Sequence, residues 1–119
     1  MHLTILYAED HKIVADAVKE TLELEGFRVV LCSDGAVTLQ RLSSNARYDL
    51  FIVDNHLPNV NGIELIRHTR QLPHRQAIPI IMLSATDSHG EAYQAGVNLF
   101  LKKPEGVKSL VESVNRLIK

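Results

Sequence analysis

The segment Leu50-Phe51-Ile52-Val53 constrains this chain most. Its apolar residues stand in a row, without the polar alternation of a half-exposed strand. Such a run suits a strand covered on both faces, as in a parallel sheet. It ends on an acid, Asp54, and then meets Pro58 and Asn61-Gly62 before a helical pattern starts at Ile63. In open α/β sheets, ligands sit outside the carboxyl ends of the strands. A carboxylate there reads as a candidate site, although Asp at a strand end is also an ordinary turn residue. A second apolar run, residues 3–8, leads straight into Glu9-Asp10. If the two strands are neighbours, three carboxylates share one edge of a sheet.

The rest of the chain supplies the other layers. Residues 12–25 have helical spacing, with Val14, Ala17, Val18, Thr21 and Leu22 on one face. Phe27 to Leu31 reads as a short strand. Ser33 or Asp34 can cap a helix that carries Val37, Leu39 and Leu42 and ends at Asn45. The central strand covers 49–54. A helix over 62–72 follows, capped by Asn61, with Ile63, Ile66 and Thr69 inward and Pro73 as its stop. Pro79 opens a strand over Ile80-Ile81-Met82-Leu83 that ends at Ser84. Ser88-His89-Gly90-Glu91 has the spacing of a capping box for a short helix closed by Gly96. A fifth strand covers 98–102. A last helix begins at Glu105, with Val107, Leu110, Val111, Val114, Leu117 and Ile118 inward. Strands alternating with helices over short connections mean a doubly wound α/β fold: a parallel sheet, right-handed crossovers and helices on both faces. The pattern alone leaves the strand order open. A chain of 119 residues is enough for one domain over 1–119 and too few for two.

Composition excludes several function classes. Thirteen Lys and Arg against fourteen Asp and Glu, with no basic run, argue against direct nucleic-acid binding. Cys32 is the one cysteine, so no intrachain disulfide can form; it reads as a small buried hydrophobe in a reducing compartment. No apolar run approaches the roughly 18 residues of a membrane span. Met1-His2 leads directly into a strand and does not read as a signal peptide. The expectation is a cytoplasmic protein without a membrane anchor.

Polar groups close four strand ends: Glu9-Asp10, Asp54, Ser84 and Lys103-Pro104. Each alone has an ordinary reading, as a turn acid, a loop hydroxyl bonded to backbone or a solvated lysine. Together they form a coherent set. Three close carboxylates repel one another unless a cation is present. Hard oxygen ligands in a small cluster suit Mg²⁺. A cation, an ammonium and a hydroxyl around one carboxylate make a pocket for a phosphoryl group. The histidines show no paired spacing such as HExxH, so a histidine metal site is not indicated.

Glu9-Asp10, the segment Asp54 to Gly62, Leu83-Ser84-Ala85 and Phe100-Leu101-Lys102-Lys103-Pro104 resemble the receiver domain of two-component response regulators. The likeness spans the whole chain with its spacings in order. It implies a flavodoxin-like (βα)5 fold with strand order 2-1-3-4-5. It implies that Asp54 is the phosphoacceptor, fed from a phosphohistidine on a histidine kinase or histidine phosphotransfer protein. Asp10, Asp54 and the backbone carbonyl of His56 would hold Mg²⁺ directly, and Glu9 through water. Lys103 would meet the phosphoryl oxygens, with Pro104 following a cis peptide, while Lys102 points elsewhere. Ser84 and Phe100 would be the switch pair, moving the surface of the fourth helix, fifth strand and last helix, where homodimers or partners would dock. The implied role is a signalling switch with weak self-phosphorylation and autodephosphorylation, not a metabolic enzyme. The chain would be a stand-alone receiver or part of a longer regulator or hybrid kinase. Asn61 stands where the family often has Asp, and His56 lies over the pocket mouth.

Other readings fit less well. A phosphohydrolase of the haloacid dehalogenase type also uses an Asp after a strand, but wants a second Asp where His56 stands. An FMN carrier needs a hydroxyl- and glycine-rich loop after the first strand, where this chain has Glu9-Asp10-His11. The alternative from a different class is a receiver-like protein-binding module that is never phosphorylated.

Overall fold

The structure, a computed structural model, describes residues 2–119. Five strands, β1 (Thr4–Ala8), β2 (Arg28–Cys32), β3 (Leu50–Val53), β4 (Ile80–Ser84) and β5 (Leu99–Lys102), form one parallel sheet in the order β2-β1-β3-β4-β5. The helices are α1 (Lys12–Leu24), α2 (Gly35–Ser43), α3 (Gly62–Gln71), α4 (His89–Ala95), α5 (Glu105–Lys108) and α6 (Leu110–Ile118), with a 3₁₀ turn at Pro73–Arg75. This is the doubly wound, flavodoxin-like arrangement implied by the sequence.

The continuous apolar runs are explained by two cores. Side chains alternate across a strand, so Leu6, Phe51, Val53, Ile80 and Met82 meet Leu42, Leu65, Ile66 and Ala92 on one face. Ile5, Leu50, Ile52, Ile81 and Leu83 meet Ala15, Val18, Leu22, Leu110 and Val114 on the other. Leu50 to Val53 are wholly buried because β3 is central and covered on both sides. Cys32 is buried among them as a small hydrophobe. Among the described residues, no helix is long and apolar enough to cross a membrane.

Several local expectations need correction. On α1 the buried face is Ala15, Val18 and Leu22; Ala17 and Thr21 are exposed. On α2, Gly35, Thr38 and Leu42 turn inward, and Val37 is 42% exposed. Phe27 is buried but precedes β2, and α2 ends at Ser43, before Asn45. Ser88 makes no capping bond: at φ −110° and ψ 23° its backbone is not extended, and its hydroxyl lies 4.0 Å from the Met82 sulfur. The last helix is two, broken at Ser109. There the side chains compete with the ladder: Ser109 Oγ donates to Gly106 O at 3.2 Å and Ser113 Oγ to Ser109 O at 2.9 Å.

At the N-terminal edge of the sheet, two arginines fasten the loops. Arg75, 5% exposed, donates to the carbonyls of Leu42, Ser44 and Ala46. Arg70 donates to the carbonyls of Ile78 and Gly96. This bracing holds the sheet beneath the opposite edge.

Candidate functional site

The backbone ladder runs on past the strand ends, and this places the acids. Glu9 N–H donates to Cys32 O at 2.9 Å, Asp54 N–H to Ala8 O at 3.0 Å, and Lys103 N–H to Ser84 O at 2.8 Å. Glu9 and Asp54 are therefore set one step beyond apolar strands, on either side of the switch point between β1 and β3, and Lys103 one step beyond β5. One carboxylate oxygen each from Glu9, Asp10 and Asp54 lies within 4.8 Å of the others. Glu9 is 1% exposed and Asp54 7%, while Asp10 is open to solvent. A cleft of about 410 Å³ runs from the acid pair along α1, past Lys12, Asp16, Leu31 and Ser33.

Lys103 reaches into this cluster from the end of β5. Its Nζ lies 2.5 Å from Glu9 Oε1 and 3.4 Å from Asp54 Oδ2, so the ammonium is held mainly by Glu9. The Lys103-Pro104 peptide is cis. Lys102 points the other way, toward Asp87 on the surface, 3.7 Å off. Burial pushes the Glu9 carboxyl above its usual range; the bond to Lys103 pulls it back, and the Asp54 carboxylate pushes it up again. Burial likewise raises the Tyr7 phenol, helped by the charges of Glu9 and Asp54. Tyr7 Oη donates to Glu9 Oε1 at 3.4 Å and His11 N–H to Glu9 Oε2 at 3.3 Å.

The loop from Asp54 to α3 is built around Asn55 and Gly62. Asn55 O accepts from Gly62 N–H at 2.9 Å, and its side-chain Oδ1 accepts from Ile63 N–H at 3.2 Å. Asn61 caps α3 through Glu64 N–H at 3.0 Å. A Cβ on Gly62 would stand 2.3 Å from Asp54 O, so this close approach needs glycine. Asn59, at φ 72°, binds Asp34, the cap of α2, while Gly35 N–H donates to Pro58 O at 2.9 Å. His56 is exposed, with its N–H 3.4 Å from Asp54 Oδ1.

Ser84 and Phe100 are engaged elsewhere. The Ser84 hydroxyl is 3.1 Å from Thr86 Oγ1 and accepts from Thr86 N–H at 3.3 Å. Phe100 is half-buried, its ring centroid 6.1 Å from that of His89. Its N–H donates to the Tyr93 hydroxyl at 3.1 Å. The structure thus gathers Glu9, Asp10, Asp54 and Lys103 into one cluster and leaves Ser84 and Phe100 on local partners. Tyr7, Asn55 and the Asp34–Asn59 pair belong to the site's surroundings and were missed in the sequence. Tyr7 sits inside an apolar run and reads there as core. Asn55 carried a faint signal, as a side-chain amide directly after the strand-end acid in a loop that leads to a helix.

The family model for the response regulator receiver domain matches residues 5–115. The chain belongs to that family. As a receiver domain it is similar to the alkaline phosphatase synthesis transcriptional regulatory protein SphR of Synechococcus elongatus, 32% identical over 97% of this chain and 48% of the relative. It resembles the receiver domain of the sensor histidine kinase PA1611 from Pseudomonas aeruginosa PAO1, at 29% identity and a TM-score of 0.90 over 99% of this chain and 98% of that one. That domain was solved with a magnesium ion coordinated in its active site cleft. The chemotaxis protein CheY4 of Vibrio cholerae superposes with a TM-score of 0.88 at 25% identity, over 98% of this chain and 99% of that one. The receiver spans about half the length of the curated relatives it matches.

Proposed function

We propose that this receiver, as a single domain over residues 1–119, accepts a phosphoryl group on Asp54 from the phosphohistidine of a histidine kinase or histidine phosphotransfer protein in the cytoplasm. One observation carries the reading: the Asp54 carboxylate stands beside two further acids and within 3.4 Å of a largely buried lysine ammonium. The donor set is three hard carboxylate oxygens, which fits Mg²⁺. Asp10, Asp54 and the His56 carbonyl would hold the ion, with Glu9 acting through water. When bound, it supplies positive charge beside the phosphoryl oxygens.

The chain's own residues do the rest. An Asp54 carboxylate oxygen attacks phosphorus in line; the new O–P bond forms as the N–P bond breaks, and the electron pair returns to the donor's imidazole nitrogen. Lys103 is close enough to turn from Glu9 to a phosphoryl oxygen. Val53, wholly buried and paired with Met82 across β3 and β4, anchors the strand end that carries Asp54. The product, an acyl phosphate, is open to slow hydrolysis by water at the mouth beside His56. Ser84 would leave Thr86 for the phosphoryl group, Phe100 would turn inward, and the surface of α4, β5, α5 and α6 would change for a partner or a second copy.

Intact-mass measurement after incubation with Mg²⁺ and a small phosphodonor tests this. Wild type gains one phosphoryl group, and Asp54→Asn gains none. An Asp54→Asn protein that is still phosphorylated at this strand end defeats the assignment. A wild type that never gains mass favours a protein-binding module instead.

A further inference from the structure

Tyr7 is fully buried in the core beneath α1 and α6, among Ile5, Leu50, Ile52 and Leu83. Its neighbours there are apolar, and a phenylalanine ring would fill the same space. The hydroxyl is what differs, and buried hydroxyls require a partner. Among the described residues that partner is Glu9 Oε1, at 3.4 Å. Tyr7 and Glu9 are two residues apart on one strand line, so their side chains share a face.

Among the described residues Glu9 has few other donors. It is 1% exposed, and Oε1 is met by Lys103 at 2.5 Å and by Tyr7, while Oε2 is met by the His11 N–H at 3.3 Å. Lys103 is shared with Asp54 at 3.4 Å. A phosphoryl group on Asp54 replaces the single carboxylate charge with one of about −1.5 to −2, borne on oxygens that reach further out. The ammonium is then drawn off Glu9, and one oxygen of a nearly buried carboxylate loses its strongest donor.

We propose that the Tyr7 hydroxyl is a positioning donor for the reaction: it retains Glu9 Oε1 when Lys103 leaves for the phosphoryl group. This rests on the phosphoacceptor reading of Asp54. Tyr7 acts through Glu9 and does not touch the phosphoryl group. In the resting state Lys103 holds Glu9 and the hydroxyl contributes little. In the phosphorylated state the hydroxyl becomes the main neutral donor to Oε1.

The full chain is made as wild type, Tyr7→Phe, Glu9→Gln and the double variant. Rates of phosphorylation with Mg²⁺ and acetyl phosphate are followed, with Mg²⁺ affinity, urea unfolding in EDTA and tyrosine emission. The chain has three tyrosines and no tryptophan, so tyrosine emission is observable. Tyr7→Phe should slow phosphorylation about tenfold, equivalent to ~1.4 kcal/mol. In the Glu9→Gln background the same change should have no effect, since the coupling runs through that carboxylate. Wild-type emission should change on phosphorylation, and Tyr7→Phe should lose that change. Urea midpoints in EDTA should be nearly equal. A wild-type rate in Tyr7→Phe, or an equal loss in both backgrounds, overturns the proposal. So does a large drop in the urea midpoint, which would mark a packing role. If wild type itself is not phosphorylated, the phosphoacceptor reading fails first, and the two failures are distinguishable.

Discussion

At the N-terminal edge of the sheet, two arginines are each wrapped in carbonyl oxygens; at the C-terminal edge, two of three clustered carboxylates compete for one ammonium. Arg75 donates to Leu42 O at 2.9 Å, Ser44 O at 3.0 Å and Ala46 O at 2.6 Å, and its guanidinium lies 4.9 Å from the Tyr48 ring centroid. Arg70 donates to Gly96 O at 2.9 and 2.7 Å and to Ile78 O at 2.6 Å. These charges are satisfied by fixed dipoles that no ligand need displace. At the other edge Lys103 divides itself between Glu9 and Asp54, and Asp10 faces solvent. The first arrangement stabilises a single geometry. The second leaves charge available for an incoming cation and phosphoryl group. What separates structural from functional charge here is the number of competing partners, since burial is similar for Arg75 and Asp54.

The comparison is broken most directly by Arg75→Ala. Hydrogen bonds to charged groups are worth ~1.5–3 kcal/mol each, and several buried carbonyls would lose their donor together. We expect a loss of about 3 kcal/mol in urea unfolding, with phosphorylation at Asp54 retained under conditions where the variant is folded. An unchanged urea midpoint would show that the carbonyl cage is decorative. Loss of phosphorylation in a folded variant would show that the two edges are coupled.

Gly62→Ala tests the joint between the edges. The added Cβ would sit 2.3 Å from Asp54 O and 2.8 Å from Asn55 Cα, both backbone atoms that cannot swing aside. Overpacking of this kind costs ~1–3 kcal/mol. Here the displaced backbone carries the phosphoacceptor, so phosphorylation should also fall by about tenfold or more. A variant with lowered stability and a wild-type phosphorylation rate would mean that Asp54 tolerates movement of its own peptide.

The sheet and its acids were legible in the sequence for one reason: an apolar run that stops at a polar residue states both burial and edge. Leu50 to Asp54 and Ile80 to Ser84 read this way and fold this way. The strand order was not legible from pattern and came from resemblance. The arginine cage was not legible at all, because Arg75 bonds to backbone carbonyls, which every sequence offers. Helix faces failed where apolar character was weak: Ala15 and Ala17 are the same residue type, and only packing chose Ala15. Ser88 failed because a capping box specifies spacing but not the backbone angles of the cap. Tyr7 was hidden inside the run that made β1 recognisable, since its ring obeys the apolar pattern and its hydroxyl does not.

The smallest expected effect sets one acid inside the cluster against one in its surroundings. Glu9 is raised above its ordinary 4.5, chiefly by burial. Asp34 is lowered below its ordinary 3.8, chiefly by the Val37 N–H, with the Asn59 amide and Ala36 N–H adding to it. Stability changes with pH according to the difference in protons bound by the unfolded and folded states. For Glu9 the folded state binds more, so without metal its contribution is fully present below 4.5 and is lost as pH rises through the higher folded value. For Asp34 the folded state binds fewer, so its contribution is present above 3.8 and is lost as pH falls through the lower folded value. Urea midpoints in EDTA from about pH 3 to 8 should show both limbs. Glu9→Gln should flatten the decline on the side above 4.5 and leave the acid limb. Asp34→Asn should flatten the acid limb and leave the other. Glu9→Gln also removes one partner of Lys103; that ion pair opposes the burial effect in the same titration, and the net slope is what decides. An upper limb of unaltered slope in Glu9→Gln would mean that the buried acid pays no charge penalty, and the contrast between the two acids would then rest on geometry alone.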